Sequence, residues 1–344
     1  MDGSAHFTIP VVPKMWGRID RDTPIPEGEN LLRALRHEKP LFMPNLASSS
    51  QMSPACPNQD SHNWRSCDYT DWFGVFRKYS EEQASCTPVG EVLDSILDWE
   101  EKVVFPDLDA LDWSEGAGTF VRDGNLALHS RFNGGVFQRL HALEGFENAL
   151  VDLISEPDAC RSFFEAMADF AIDVFRRLNA VYHYDYFYYH DDWGTARAPF
   201  FSLELFEKTL LPPTIRIFKA IKDEGVLAMS HNCGLINDFI PYIVDEIGAD
   251  ALEIQPINDI PKILSDFGDR CTVEYIGADT AFFYDPSTTQ EMVREKARET
   301  VDRFGAHRNP GAGVITSATT PTEEMYRTFE DELYRYSLEQ YRGL

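Results

Sequence analysis

No stretch of this sequence approaches the ~18 consecutive apolar residues that a membrane-spanning helix needs, so no transmembrane segment is expected. Met1 to Trp16 has neither a basic start nor a continuous apolar run, and a cytoplasmic location is expected. Basic residues are scarce: 31 Lys and Arg stand against 57 Asp and Glu, a net charge of −26. Such a chain repels nucleic-acid phosphates and anionic membrane surfaces, and both drop out as partners. No C-x-x-C pair occurs among the six cysteines Cys56, Cys67, Cys86, Cys160, Cys233 and Cys271. Reduced thiols are expected, leaving open only a bridge among Cys56, Cys67 and Cys86. No G-x-G-x-x-G opens any helical stretch, which removes support for a dinucleotide-binding fold.

What is present is organised around Leu227-Ala228-Met229-Ser230-His231-Asn232-Cys233-Gly234, an apolar strand-like run ending in a His and a Cys two positions apart. A strand delivers its last side chains to the rim of a sheet, where one imidazole and one thiolate make half a zinc site. The plainer reading is a hydrogen-bonded structural histidine beside a small buried hydrophobe. The surroundings of the pair bear on that choice.

Residues 1–26 carry Pro10, Pro13, Pro24 and Pro26 with little periodicity and read as an extended arm. Leu31, Leu32 and Leu35 mark a first helix, and Leu41 to Pro44 a first core strand. The Ser-, Pro- and Asn-rich stretch 46–66 reads as a long loop. Helices are expected over Asp68–Tyr79, Val89–Glu100 and Phe137–Leu153. From Pro157, which fits the first turn of a helix reaching about Tyr182, the order helix then strand repeats five times. The strands are Tyr184–Tyr189, Leu227–Cys233, Ala251–Gln255, Cys271–Ile276 and Gly313–Thr316. Such alternation with short connections predicts a (β/α)8 TIM-type barrel with an N-terminal extension and long loops, residues 27–344 forming one domain.

In such a barrel the site lies at the C-terminal ends of the strands, and the polar residues there are His190, Asp191, Asp192, His231, Cys233, Glu253 and Asp279. Consecutive acids at a strand end repel each other unless solvent, a cation or a substrate donor stands near. Glu253, inside an apolar run, needs a metal or hydrogen-bond donor, or it takes up a proton.

These residues support a family. Glu29-Asn30-Leu31-Leu32-Arg33-Ala34-Leu35, Asp191-Asp192-Trp193-Gly194-Thr195, Ser230-His231-Asn232-Cys233-Gly234, Gly248-Ala249-Asp250-Ala251-Leu252 and Asn309-Pro310-Gly311-Ala312-Gly313 occur in that order. With them the chain, over about residues 27–342, resembles the uroporphyrinogen decarboxylase superfamily, in particular its zinc-dependent corrinoid methyltransferase branch. The decarboxylases hold their polycarboxylate substrate with arginines of an R-x-x-G-R stretch, whereas here no arginine lies between Arg36 and Arg65. The methyltransferase branch uses an H-x-C and a later Cys, and related zinc barrels add a Glu. His231 and Cys233 match the pair, Glu253 lies where the carboxylate would stand, and Ala312 occupies the later Cys position.

The resemblance therefore implies transfer of a methyl group between a small O- or N-methyl compound and a corrinoid protein. Zinc would sit on His231, Cys233 and Glu253, with a position left for substrate. Asp191, Asp192 and His190 are the candidate catalytic groups; Tyr186, Tyr188, Trp193 and Asp279 are the candidate substrate-binding ones. The alternatives are a metal-free lyase of the same superfamily and an inactive tetrapyrrole- or corrinoid-binding barrel.

Overall fold

The computed structural model describes residues 16–54, 67–81, 85–275, 280–309, 313–315 and 318–344. It is a mixed α/β structure with ten strands among the described residues: β1 Ser50–Met52, β2 Tyr69–Thr70, β3 Phe76–Ser80, β4 Ser85–Pro88, β5 Ala127–Asn133, β6 Tyr186–His190, β7 Leu227–Asn232, β8 Ala251–Ile254, β9 Thr272–Tyr275 and β10 Gly313–Ile315. Seven of them form the main sheet in the order β1-β5-β6-β7-β8-β9-β10, and β2-β3-β4 form a small separate sheet. Among the described residues the main sheet thus has seven strands where the sequence predicts eight. The pairs β5/β6, β6/β7 and β9/β10 are parallel. No helix among the described residues is long and apolar enough to cross a membrane.

The chain divides into two compact units. The first comprises Met1–Ser50, Gly124–Ala127 and Glu253–Leu344. Within it Asn30 clamps the segment that sequence reading takes for a first strand: its side chain donates to the Phe42 carbonyl at 2.9 Å and accepts from the Leu41 amide at 2.7 Å. With its backbone groups taken by that side chain, Leu41–Pro44 forms no strand. The closing helix Glu323–Gln340 is capped by Thr322, whose hydroxyl accepts from the Met325 amide.

The second unit comprises Gln51–Asp123 and Leu128–Leu252. Its longest helix, Pro157–Tyr182, starts on a proline at its first position. It buries Cys160, Phe163, Phe164, Met167, Ala171, Val174, Phe175 and Leu178, a spacing of three and four, and ends at left-handed His183. Ser202 caps Leu203–Thr209, and a second helix, Leu211–Asp223, restarts on Pro212 and Pro213. In β6 the side chains alternate: Phe187 meets Phe175 at 5.0 Å and Tyr189 meets Phe218 at 5.8 Å, both on helices, so Tyr186, Tyr188 and His190 share the opposite face.

Asp68–Tyr79 is not a helix but part of the small antiparallel sheet. Asp71 accepts from the amides of Phe73 and Val75, each at 3.0 Å, and Gly74 takes φ +82°. Asp-Trp-Phe-Gly is thereby a turn that reverses the chain between β2 and β3. Phe137–Leu153 is interrupted at Gly145, φ +82°, into Val136–Glu144 and Phe146–Ser155. Val89–Glu100 yields only a short 3-10 turn, Ile96–Asp98, and the start of Trp99–Lys102. The Cys86 thiol donates to the Cys67 carbonyl at 3.2 Å, and Cys56 lies outside the described residues.

Glu144, the last residue of its helix, is fully buried, and neither carboxylate oxygen meets a hydrogen-bond donor among the described residues. Burial, with the charges of Asp152 and Glu91, pushes its carboxyl up to about 8. The folded chain therefore keeps a proton that the unfolded chain releases near 4.5, and stability is lost as pH rises through that window. Glu144→Gln is expected to flatten this loss, raising the thermal midpoint near pH 9 by about 2 °C or more while leaving it unchanged near pH 5. Melts of both proteins across pH check it.

Candidate functional site

The parallel register of three strands sets the site. Asn133 of β5 pairs with His190 of β6, and His190 pairs with His231 of β7, so three polar side chains stand abreast at the C-terminal ends. The two imidazole rings lie 3.8 Å apart between centroids, and His190 Nδ1 is 3.2 Å from Asn133 Oδ1.

The two acids after β6 diverge. Asp191 is fully buried and turns to the helix Val136–Glu144, where it accepts from the amides of Phe137 at 3.1 Å and Gln138 at 2.9 Å. Burial pushes its carboxyl up to about 7 against the pull of those two amides. A Cβ on Gly135 would lie 2.4 Å from Asp191 Cγ, so the close seating of acid on helix start needs glycine there. Asp191 anchors an element; it is Asp192 that faces the histidines.

Asp192 accepts from the Cys233 amide at 2.8 Å and from Gln138 Nε2 at 2.6 Å. Its two oxygens also lie 3.5 Å from His190 Nε2 and 3.6 Å from His231 Nε2. Burial raises its carboxyl, but the two imidazoles facing it outweigh that, and Asp192 is held well below the usual carboxylate range. Burial, reinforced by His231, pushes His190 down to about 4, so its ring is neutral near pH 7, the form that ligates a metal. Cys233 Sγ stands 3.4 Å from His231 Nε2, and burial raises its thiol. One ligand atom each from His190, Asp192 and His231 falls within 4.8 Å of the others.

The remaining expected residues are dispersed. Tyr186 and Tyr188 are fully buried on the His190 face; His129 stacks on Tyr186 at 4.8 Å and the Arg131 guanidinium lies 4.4 Å over Tyr188. Trp193 is packed against Phe206 and Phe239, at 4.9 and 6.0 Å. Glu253 is buried in β8 and belongs to the first unit. Asp279 and Ala312 lie outside the described residues. Gln138 and Asn133, which orient Asp192 and His190, escape sequence reading; the only local signal is the Asn-Gly-Gly after β5, which opens a helix at the strand end.

Past the strands, the loops touch. Gly234 has φ +91°, and a Cβ there would lie 2.2 Å from the Gly194 carbonyl carbon, while the Leu235 amide donates to the Thr195 carbonyl at 2.7 Å. Gly234→Ala is expected to cost about 1–3 kcal/mol in left-handed strain and overpacking, read as a lower urea midpoint.

A sequence model of the family described as "Uroporphyrinogen decarboxylase (URO-D)" matches residues 135–330. Among curated proteins none matches by sequence. In structure the chain is similar to a methyltransferase from Methanosarcina mazei, at 11% identity and a TM-score of 0.65, over 90% of this chain and 98% of that one. At that identity the likeness is one of fold.

Proposed function

The chain belongs to the uroporphyrinogen decarboxylase family, and from that premise we propose that it is a zinc-dependent methyltransferase moving a methyl group between a small O- or N-methyl compound and a corrinoid protein. One observation carries the reading: His190, Asp192, His231 and Cys233 gather at the ends of two neighbouring parallel strands. Two imidazoles, one of them held neutral, with an ionised carboxylate and a thiol, make a donor set that fits zinc. In this proposal His231, Cys233 and Glu253 hold the ion, in an eight-stranded barrel formed by residues 27–344 of a cytoplasmic protein. The ion, when bound, supplies Lewis acidity toward the heteroatom that carries the methyl group.

The chain's own residues do the rest. Asp192, held by the Cys233 amide and Gln138, keeps both imidazoles oriented. Asp191 fixes the start of the helix that carries Gln138, and so acts on the site through position. Tyr186 and Tyr188, on the face of β6 that ends in His190, give the substrate side an aromatic wall. Asp279 is proposed as a further substrate contact and Trp193 as support for the loop after β6.

The test is to incubate the zinc-loaded protein with reduced cobalamin and a panel of O- and N-methyl compounds and to follow methylcobalamin by absorbance. Methyl transfer from at least one donor is expected. A protein that fails with the whole panel yet converts a porphyrinogen would overturn the reading in favour of a lyase.

A further inference from the structure

We propose that His190 and Asp192 are themselves metal ligands, forming with His231 a three-donor set drawn from two adjacent strand ends, with Cys233 beside His231. The inference rests on the zinc reading above and puts His190 and Asp192 in the place which that reading gives to Glu253.

The spacing is the first argument. A charge-assisted hydrogen bond between imidazolium and carboxylate closes to about 2.7–2.9 Å, whereas Asp192 stands 3.5 Å from His190 Nε2 and 3.6 Å from His231 Nε2. Around a tetrahedral ion with bonds of about 2.0 to 2.3 Å, neighbouring donor atoms stand roughly 3.3–3.6 Å apart. Both contacts of Asp192 thus have the spacing of ligands that flank a common ion.

The second argument is the direction of lone pairs. Asn133 Oδ1 can only accept, so the 3.2 Å contact places a hydrogen on His190 Nδ1. Nε2 of the same ring faces a carboxylate oxygen of Asp192 at 3.5 Å, is buried and makes no hydrogen bond among the described residues. A buried polar atom needs a partner, and a cation between ring and carboxylate would supply one. Asn133 and Gln138 complete the arrangement: one fixes the tautomer of His190, and the other holds Asp192 Oδ2 at 2.6 Å, the outer support that metal ligands need.

Metal binding, not turnover, is the readout. Wild type, His190→Ala, Asp192→Ala, His231→Ala and Cys233→Ala would be stripped, titrated with zinc against a competing chelator, and then loaded with cobalt(II) for absorption spectra; far-ultraviolet dichroism and melts confirm folding. Expected results are one ion per wild-type chain and a loss of affinity of at least about tenfold in both His190→Ala and Asp192→Ala. Where cobalt still binds, a changed ligand-field spectrum is expected in His190→Ala and Asp192→Ala. Wild-type affinity and an unchanged cobalt spectrum in folded His190→Ala and Asp192→Ala, with loss in His231→Ala, would overturn this inference and leave the zinc reading standing. If no variant and no wild type binds metal, a proton fills the gap, and both readings fall. Binding as expected without any methyl transfer would support the ligand set and sink only the methyltransferase.

Discussion

Replacing His231 with alanine is expected to lower the proposed methyl transfer by about a thousandfold and to strip the proposed zinc, the scale of the several kcal/mol that a Lewis-acid metal contributes to a transition state. The fold should survive. His231 is buried at a strand end, and its loss leaves Asp192 still held by the Cys233 amide and Gln138. Activity, metal content and a melt measured together separate a chemical loss from an unfolding one. Full activity in a zinc-containing variant would remove His231 from the chemistry altogether.

The largest stability effect is expected elsewhere, at Asp71→Ala, with a loss of about 3–5 kcal/mol. Asp71 Oδ2 accepts from Arg139 Nη1 at 2.8 Å and from Arg77 Nε at 2.9 Å, and its other oxygen holds the two turn amides. The Arg139 and Asp71 side chains are essentially inaccessible, at 1% and 0%. Truncation would strand a guanidinium inside the protein, packed 4.3 Å over the Phe73 ring. Urea unfolding of Asp71→Ala, Arg139→Met and the double variant checks the account: the double variant should recover part of the loss, because no buried charge is then uncompensated. Equal losses in Asp71→Ala and the double variant would place the cost in the turn instead of the ion pair. Arg139 shares its helix with Gln138, so loosening the small sheet should also weaken metal retention.

How much of this was readable beforehand differs by element. The helix Pro157–Tyr182 and strands β6 to β10 are legible because their information is local: Pro157 at the start, Ser202 before its helix, apolar residues at spacings of three and four, short apolar runs between. Asp68–Tyr79 misleads because its apolar residues fit a helix, while the turn is made by one side chain, Asp71, bonding amides two and four residues on. The site is half legible. Each of His190, Asp192, His231 and Cys233 stands out as polar at the end of a strand, yet nothing local says that His190 and His231 are register partners. The separate duties of Asp191 and Asp192 are equally hidden, because Asp191 meets its helix amide across 53 positions of sequence. The number of strands in the main sheet is also set by pairing beyond any local window, and seven are found among the described residues.

The contact between Gly194 and Gly234 also governs how this protein can be altered. Since backbone fills the space a side chain at 234 would need, the loops after β6 and β7 are interlocked parts. A library that randomises one of them while keeping the other will be populated mainly by misassembled clones, whatever the chemistry selected. Changes of substrate range are better sought by exchanging both loops together, as a single cassette with its two glycines retained.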